Sequence, residues 1–135
     1  MDDEDEILAE ALGSLGGRGA RFVARRLPKN VREITLHLPM PTAEARTRVS
    51  AVLGMQGRRI APRRSAPAEE RRALRVLTGG GAWNMNPVLV TVLLAAGEAE
   101  DTTVVRLRAA AKEGLIRQRA GEKTAERVAR LLLPD

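Results

Sequence analysis

Cysteine is absent from this 135-residue chain, and aromatic residues nearly so, with one Trp, one Phe and no Tyr. Without cysteine there are no disulfides, no thiolate metal sites and no cysteine nucleophile. Without aromatics the core must be filled by Val, Leu, Ile and Ala, and base stacking on single-stranded nucleic acid has few side chains to use. A lone histidine, His37, leaves neither a histidine metal cluster nor a Ser-His-Asp arrangement a full set of members. Long apolar runs are missing too. The longest, over 88–96, falls far short of the ~20 residues that a membrane helix requires. The first residues, Met1-Asp2-Asp3-Glu4-Asp5-Glu6, are acidic where a secretory signal needs bases, so the expected compartment is the cytoplasm.

What is present suits one ordinary globular domain. Its length lies within the commonest domain range of roughly 100–150 residues, and 44% of the residues are hydrophobic. The net charge of +6 is unevenly placed. Six acids and no base stand in residues 1–10, and the remainder holds 23 basic against 11 acidic residues. Such asymmetry fits a surface for nucleic acid or another anionic partner. It also fits a compositional habit, since 20 of the 23 basic residues are Arg and Ala is abundant. The second reading is the simpler.

Periodicity sets out the elements. Ile7, Leu8, Ala11, Leu12 and Leu15 share one helical face, which predicts a helix over about 3–15, with acids at the positive end of its dipole. Glycines 13, 16, 17 and 19 break it, and 20–27 is left ambiguous before Pro28. Ile34, Leu36 and Leu38 alternate with Glu33, Thr35 and His37 as in a half-buried strand. Thr42 suits the N-cap of a helix over 42–53, carrying Ala45, Val49, Val52 and Leu53 on one face. A short strand near 58–61 and a loop over 62–70 follow. Strands are then expected at 74–78, 88–95 and 102–110, with a turn over 97–101. In the last strand Val105, Leu107 and Ala109 oppose Val104, Arg106 and Arg108. A closing helix carries the stripe Ala125, Val128, Ala129, Leu132 and Leu133, and its start is open to as early as Lys112. The fold class is therefore α+β: an antiparallel sheet packed against a long C-terminal helix, with an extra N-terminal helix. Residues 1–30 are read as the acidic helix and a Gly/Arg-rich connector, and 31–135 as a single domain.

Two stretches bear chemistry. Gly79-Gly80-Gly81 lacks the Gly-Lys-Ser/Thr that would make a phosphate loop, but it leads into Ala82-Trp83-Asn84-Met85-Asn86-Pro87. As a decorated hairpin this needs no ligand, because Asn tolerates left-handed backbone and Pro opens a strand. As a pocket mouth, Trp83 would supply an apolar wall while Asn84 and Asn86 orient a polar group. The second stretch is Lys112-Glu113, read either as a helix-capping junction or as polar points in a cavity. As a lone residue, His37 reads as a member of a strand face rather than a base.

The order strand (31–38), helix (42–53), antiparallel strands (58–110) and long closing helix resembles a small member of the START-like, helix-grip superfamily that includes polyketide cyclases. The resemblance implies a curved sheet wrapped around the last helix, with a cavity between them. No motif of that superfamily matches residue by residue, and the aromatics that often line such pockets are missing.

Three functions are weighed. The first is a non-enzymatic binding domain holding a small apolar ligand between sheet and closing helix, lined by Leu36, Trp83, Val90, Val105 and Leu107, with Asn84, Asn86 and Lys112 as polar points. The second is a basic adaptor whose arginines bind nucleic acid or an acidic protein. The third, a cyclase-type enzyme, stands last for want of an acid/base pair. No cofactor or metal is expected, and the oligomeric state is left open.

Overall fold

The two-residue alternation seen at Ile34, Leu36 and Leu38 belongs to a strand that begins at Lys29 and forms one edge of a sheet. The computed structural model describes residues 3–16, 29–62, 64–79, 87–112 and 119–134. Five strands among them form one antiparallel sheet: β1 (Lys29–Leu38), β2 (Arg58–Arg59), β3 (Leu74–Thr78), β4 (Val88–Ala96) and β5 (Thr103–Lys112), in spatial order β1-β5-β4-β3-β2. Helices α1 (Asp3–Gly16), α2 (Thr42–Gln56), α3 (Ala68–Arg72) and α4 (Ala120–Leu132) accompany them. The class is α+β, with the C-terminal helix against the sheet and a further helix at the N-terminal end.

One face of the sheet carries the main core. Leu36, Val90, Val105 and Leu107 meet Val49 and Leu53 of α2 and Val128 and Leu132 of α4, all buried. Each such side chain taken out of water contributes about 1.5–3 kcal/mol, so this face holds most of the stabilising burial. Helix α4 lies close because its contact face is small. A methyl group on Gly121 would run into the Asn30 carbonyl oxygen of β1. The ends of α4 are tied as well. Asn30 Oδ1 accepts a hydrogen bond from the Glu122 amide at 2.8 Å. Arg48 donates to the carbonyls of Leu132 and Leu133 at 2.8 and 3.0 Å, satisfying groups that the helix itself leaves open.

The opposite face takes α1. Leu8 packs there with Leu89 and Ala110, and Ile7, Ile60 and Leu77 border the contact. Helices therefore stand on both faces.

Several boundaries differ from the sequence reading. Pro41, not Thr42, holds the N-cap of α2, and Thr42 is its first helical residue with no capping bond. The helix runs past Gly54 to Gln56, because a helical glycine with open space around it costs only about 1 kcal/mol. Within the expected loop over 62–70, α3 forms with Glu69 and Glu70 in its first turn and Arg71 and Arg72 in its last, a charge order that suits the helix dipole. Leu133 caps α4 in extended backbone and is exposed, so it is not part of the core stripe. The ambiguous segment 20–27 lies outside the described residues, as do Gly80 and Gly81.

Candidate functional site

Strand parity sorts the side chains predicted for a site. Leu36, Val90, Val105 and Leu107 all point to the helix-covered face, where they belong to the packed core. Trp83, Asn84 and Asn86 lie outside the described residues, and so does Glu113. Lys112 is a correction. Strand β5 continues past residue 110, and the even-numbered position turns Lys112 to the other face, away from α4. There it is 4% exposed and its Nζ lies 2.8 Å from Asp5 Oδ1 of α1. His37 stands exposed on that same face.

The face away from α4 is laid out in rungs by the register of β1, β5 and β4. His37, Val104 and Ala95 form one rung, and Thr35, Arg106 and Leu93 form the next. Glu33, Arg108 and Thr91 follow, then Val31, Ala110 and Leu89, and last the pair Lys29 and Lys112. Helix α1 covers the last two rungs. The rungs of Arg106 and Arg108 remain open, and between them lies a depression of about 180 Å³. Glu33, Thr35, Thr91, Arg106 and Arg108 give it polar walls and Leu93 an apolar one, while Ile34 and Leu107, whose side chains pack on the other face, border it along their strands.

The two arginines differ in state. Arg108 is held on three sides. Its Nε lies 3.0 Å from Glu4 Oε2, its Nη2 lies 3.1 Å from Glu4 Oε1, and its Nη1 donates to Glu33. The hydrogen bond to Glu4 comes first among the causes that raise the Arg108 pKa above its ordinary value. Burial alone would raise the Glu4 pKa, but hydrogen bonds from Arg108 and Lys29 outweigh it and hold that carboxylate below its ordinary value. Arg106 is exposed and has no hydrogen-bond or ion-pair partner among the described residues. Its guanidinium therefore offers its donors to whatever enters the depression. Next to Thr91, Arg75 donates at 3.3 Å to the Thr91 hydroxyl and pairs with Glu70 at 3.4 Å.

The depression thus sets Arg106, without a partner among the described residues, beside the Thr35 and Thr91 hydroxyls and a second arginine already paired with carboxylates. Among the described residues no group of three or more His, Cys, Asp or Glu is placed to hold a metal ion. No described helix is long and apolar enough to cross a membrane.

No protein-family model matches the sequence. No curated protein matches it either. Among solved structures, the chain is similar to a protein from Nitrosospira multiformis, at 12% identity and a TM-score of 0.41, over 78% of this chain and 90% of that one. It is also similar to a putative uncharacterized protein from Bacillus thuringiensis, at 10% identity and a TM-score of 0.37, over 74% of this chain and 90% of that one. Likeness at this level brings no activity with it.

Proposed function

We propose that the chain is a non-enzymatic binding domain that takes a carboxylate-bearing segment of a protein partner on the open face of its sheet. Arg106 carries this reading: an exposed guanidinium without a described partner, at a depression whose other arginine already binds carboxylates. The closing helix laid on β1, β5 and β4 supports the helix-grip resemblance, which would put a small apolar ligand between sheet and helix. Leu36, Val90, Val105 and Leu107, four of the side chains assigned to that cavity, pack in the core between sheet and helices, and Gly121 approaches β1 closely, so we put the site on the other face.

An acidic protein segment suits the depression better than nucleic acid does. The rungs around it carry no Phe, Tyr or Trp on which a base could stack. Thr35 and Thr91 offer hydroxyls that can accept from peptide N–H groups as well as donate.

A fluorescein-labelled decaglutamate titrated into the full chain tests this. Arg106→Gln should weaken binding by roughly tenfold or more, the effect of removing a charge-assisted hydrogen bond. A single-stranded oligonucleotide of equal charge that binds more tightly than the peptide, with equal dependence on Arg106, would replace the protein partner by nucleic acid.

A further inference from the structure

Lys29 and Lys112 stand directly opposite each other on adjacent strands. Like charges so placed repel, and Lys112 is too deeply covered for water to relieve it. The sheet needs a carboxylate at this rung, and α1 brings two. Asp5 Oδ1 lies 2.8 Å from Lys112 Nζ and 3.2 Å from Lys29 Nζ, and Glu4 Oε1 takes Lys29 at 2.9 Å. One turn further along α1, Leu8 fills the apolar floor at Leu89 and Ala110. The surface thus matches a short helical pattern: two carboxylates, then an apolar side chain three to four residues later on the same face.

Resting on the partner reading above, we infer that the rungs from Arg108 to Lys112 form a docking groove for an acidic amphipathic helix of a partner protein, and that α1 occupies this groove in cis as its competitor. Arg108 couples the groove to the depression, because it faces Glu4 on one side and Glu33 on the other. A partner helix whose carboxylates take Arg108, Lys29 and Lys112 displaces Glu4 and Asp5, and among the described contacts α1 then keeps its apolar anchor at Leu8. That anchor is short. Among the described residues the buried apolar side chains of α1 are Leu8 and Ala9, with Ile7 half-buried beside Leu8, whereas α2 and α4 together set seven buried apolar residues on the other face. Charge adds to the hold at Glu4 and Asp5. Six of the first ten residues are acidic, against a remainder with a large basic excess. These pairs join buried Glu4 and Lys112 to half-buried Lys29, Arg108 and Asp5, so α1 leaves only when another acidic helix takes over the same cations.

The experiment adds a labelled peptide of residues 1–16 to the full-length protein. The unaltered chain should bind it weakly, because the groove is filled. The double substitution Glu4→Gln with Asp5→Asn should raise the affinity roughly tenfold or more, as the open fraction rises. Leu8→Ala loosens the apolar anchor and leaves every charge in place, and it should raise the affinity as well. Hydrogen exchange of the α1 amides reports release in both variants. Released amides with unchanged peptide affinity would overturn the inference, and so would amides that stay protected in both. A gain confined to the charge variant would reduce the effect to net charge and overturn it too. Dimers of the unaltered chain that dissociate on Leu8→Ala would make a second copy the occupant in place of a partner. If decaglutamate binds through Arg106 while the α1 variants change nothing, this inference fails and the partner reading stands. If no acidic peptide binds any of the proteins, both fail.

Discussion

On one face of the sheet, α2 and α4 bury Leu53, Val128 and Leu132 against Val90, Val105 and Leu107, and backbone groups at both ends of α4 are tied to β1 and α2. On the other face, α1 seats Leu8 on Leu89 and Ala110 and completes the contact with Glu4 and Asp5. The first contact is apolar and insensitive to salt. The second rests on charges that water and ions can take over. The same five strands thus support a permanent cover and a removable one, and the difference lies in which parity of β5 each helix meets. Odd positions are Thr, Val, Leu and Ala. Even positions include Arg106, Arg108 and Lys112.

The largest contrast should come from leucine truncation. Leu132→Ala removes a fully buried side chain from the main core and should cost about 2–5 kcal/mol in denaturant unfolding. Leu8 is equally buried, yet Leu8→Ala should lower global stability by only about 1 kcal/mol or less, because α1 can detach and local opening caps the loss. Equal losses at the two positions would show that both helices belong to one cooperative unit.

Acid should sharpen the same contrast. Hydrogen bonds from Lys112 lead the causes that hold Asp5 below its ordinary value, and Glu4 is held low by Arg108 and Lys29 against its burial. A carboxylate with a depressed native pKa stabilises the docked helix above its free-chain value and loses that effect as pH falls toward the native one. The free-chain values are 4.5 for Glu4 and 3.8 for Asp5. The hold on α1 should therefore be complete above about pH 5 and fade below these values. Amide exchange should show α1 opening there while β4, β5 and α4 stay protected. Loss of all protection at one pH would erase the distinction between the faces.

The helix-covered face was legible in the sequence because each of its elements is periodic on its own. Ile34, Leu36 and Leu38 mark β1, and Ala125, Val128, Ala129 and Leu132 mark α4, with no need to know what they touch. Helix α3 was not legible, since its five residues, AEERR, carry no apolar face. The open face was half legible. Alternation placed Arg106 and Arg108 opposite the core, and extending that parity by one more pair would have placed Lys112 with them. Their neighbours depend on register, which periodicity does not fix. Glu4 meets Arg108 across 104 positions of sequence, and only the folded sheet brings them together.

The smallest effect on stability should come from Arg106→Gln, and it bears most directly on the open face. Arg106 is exposed, makes no hydrogen bond or ion pair among the described residues, and sits on the rung with Thr35 and Leu93. Its loss should change unfolding free energy by no more than about 0.5 kcal/mol, the scale of ordinary surface substitutions. Arg108, by contrast, is held by Glu4 and Glu33, so Arg108→Gln leaves Glu4 with Lys29 and takes the described cation from Glu33, and it should disturb α1 as well as the depression. The two substitutions therefore separate binding from scaffolding on adjacent rungs. If Arg106→Gln lowers peptide binding with the unfolding midpoint unmoved, the guanidinium acts on the partner and not on the sheet. A stability loss of about 1 kcal/mol or more at Arg106 would make it a structural residue, and the drop in binding would then report a damaged face instead of a lost contact.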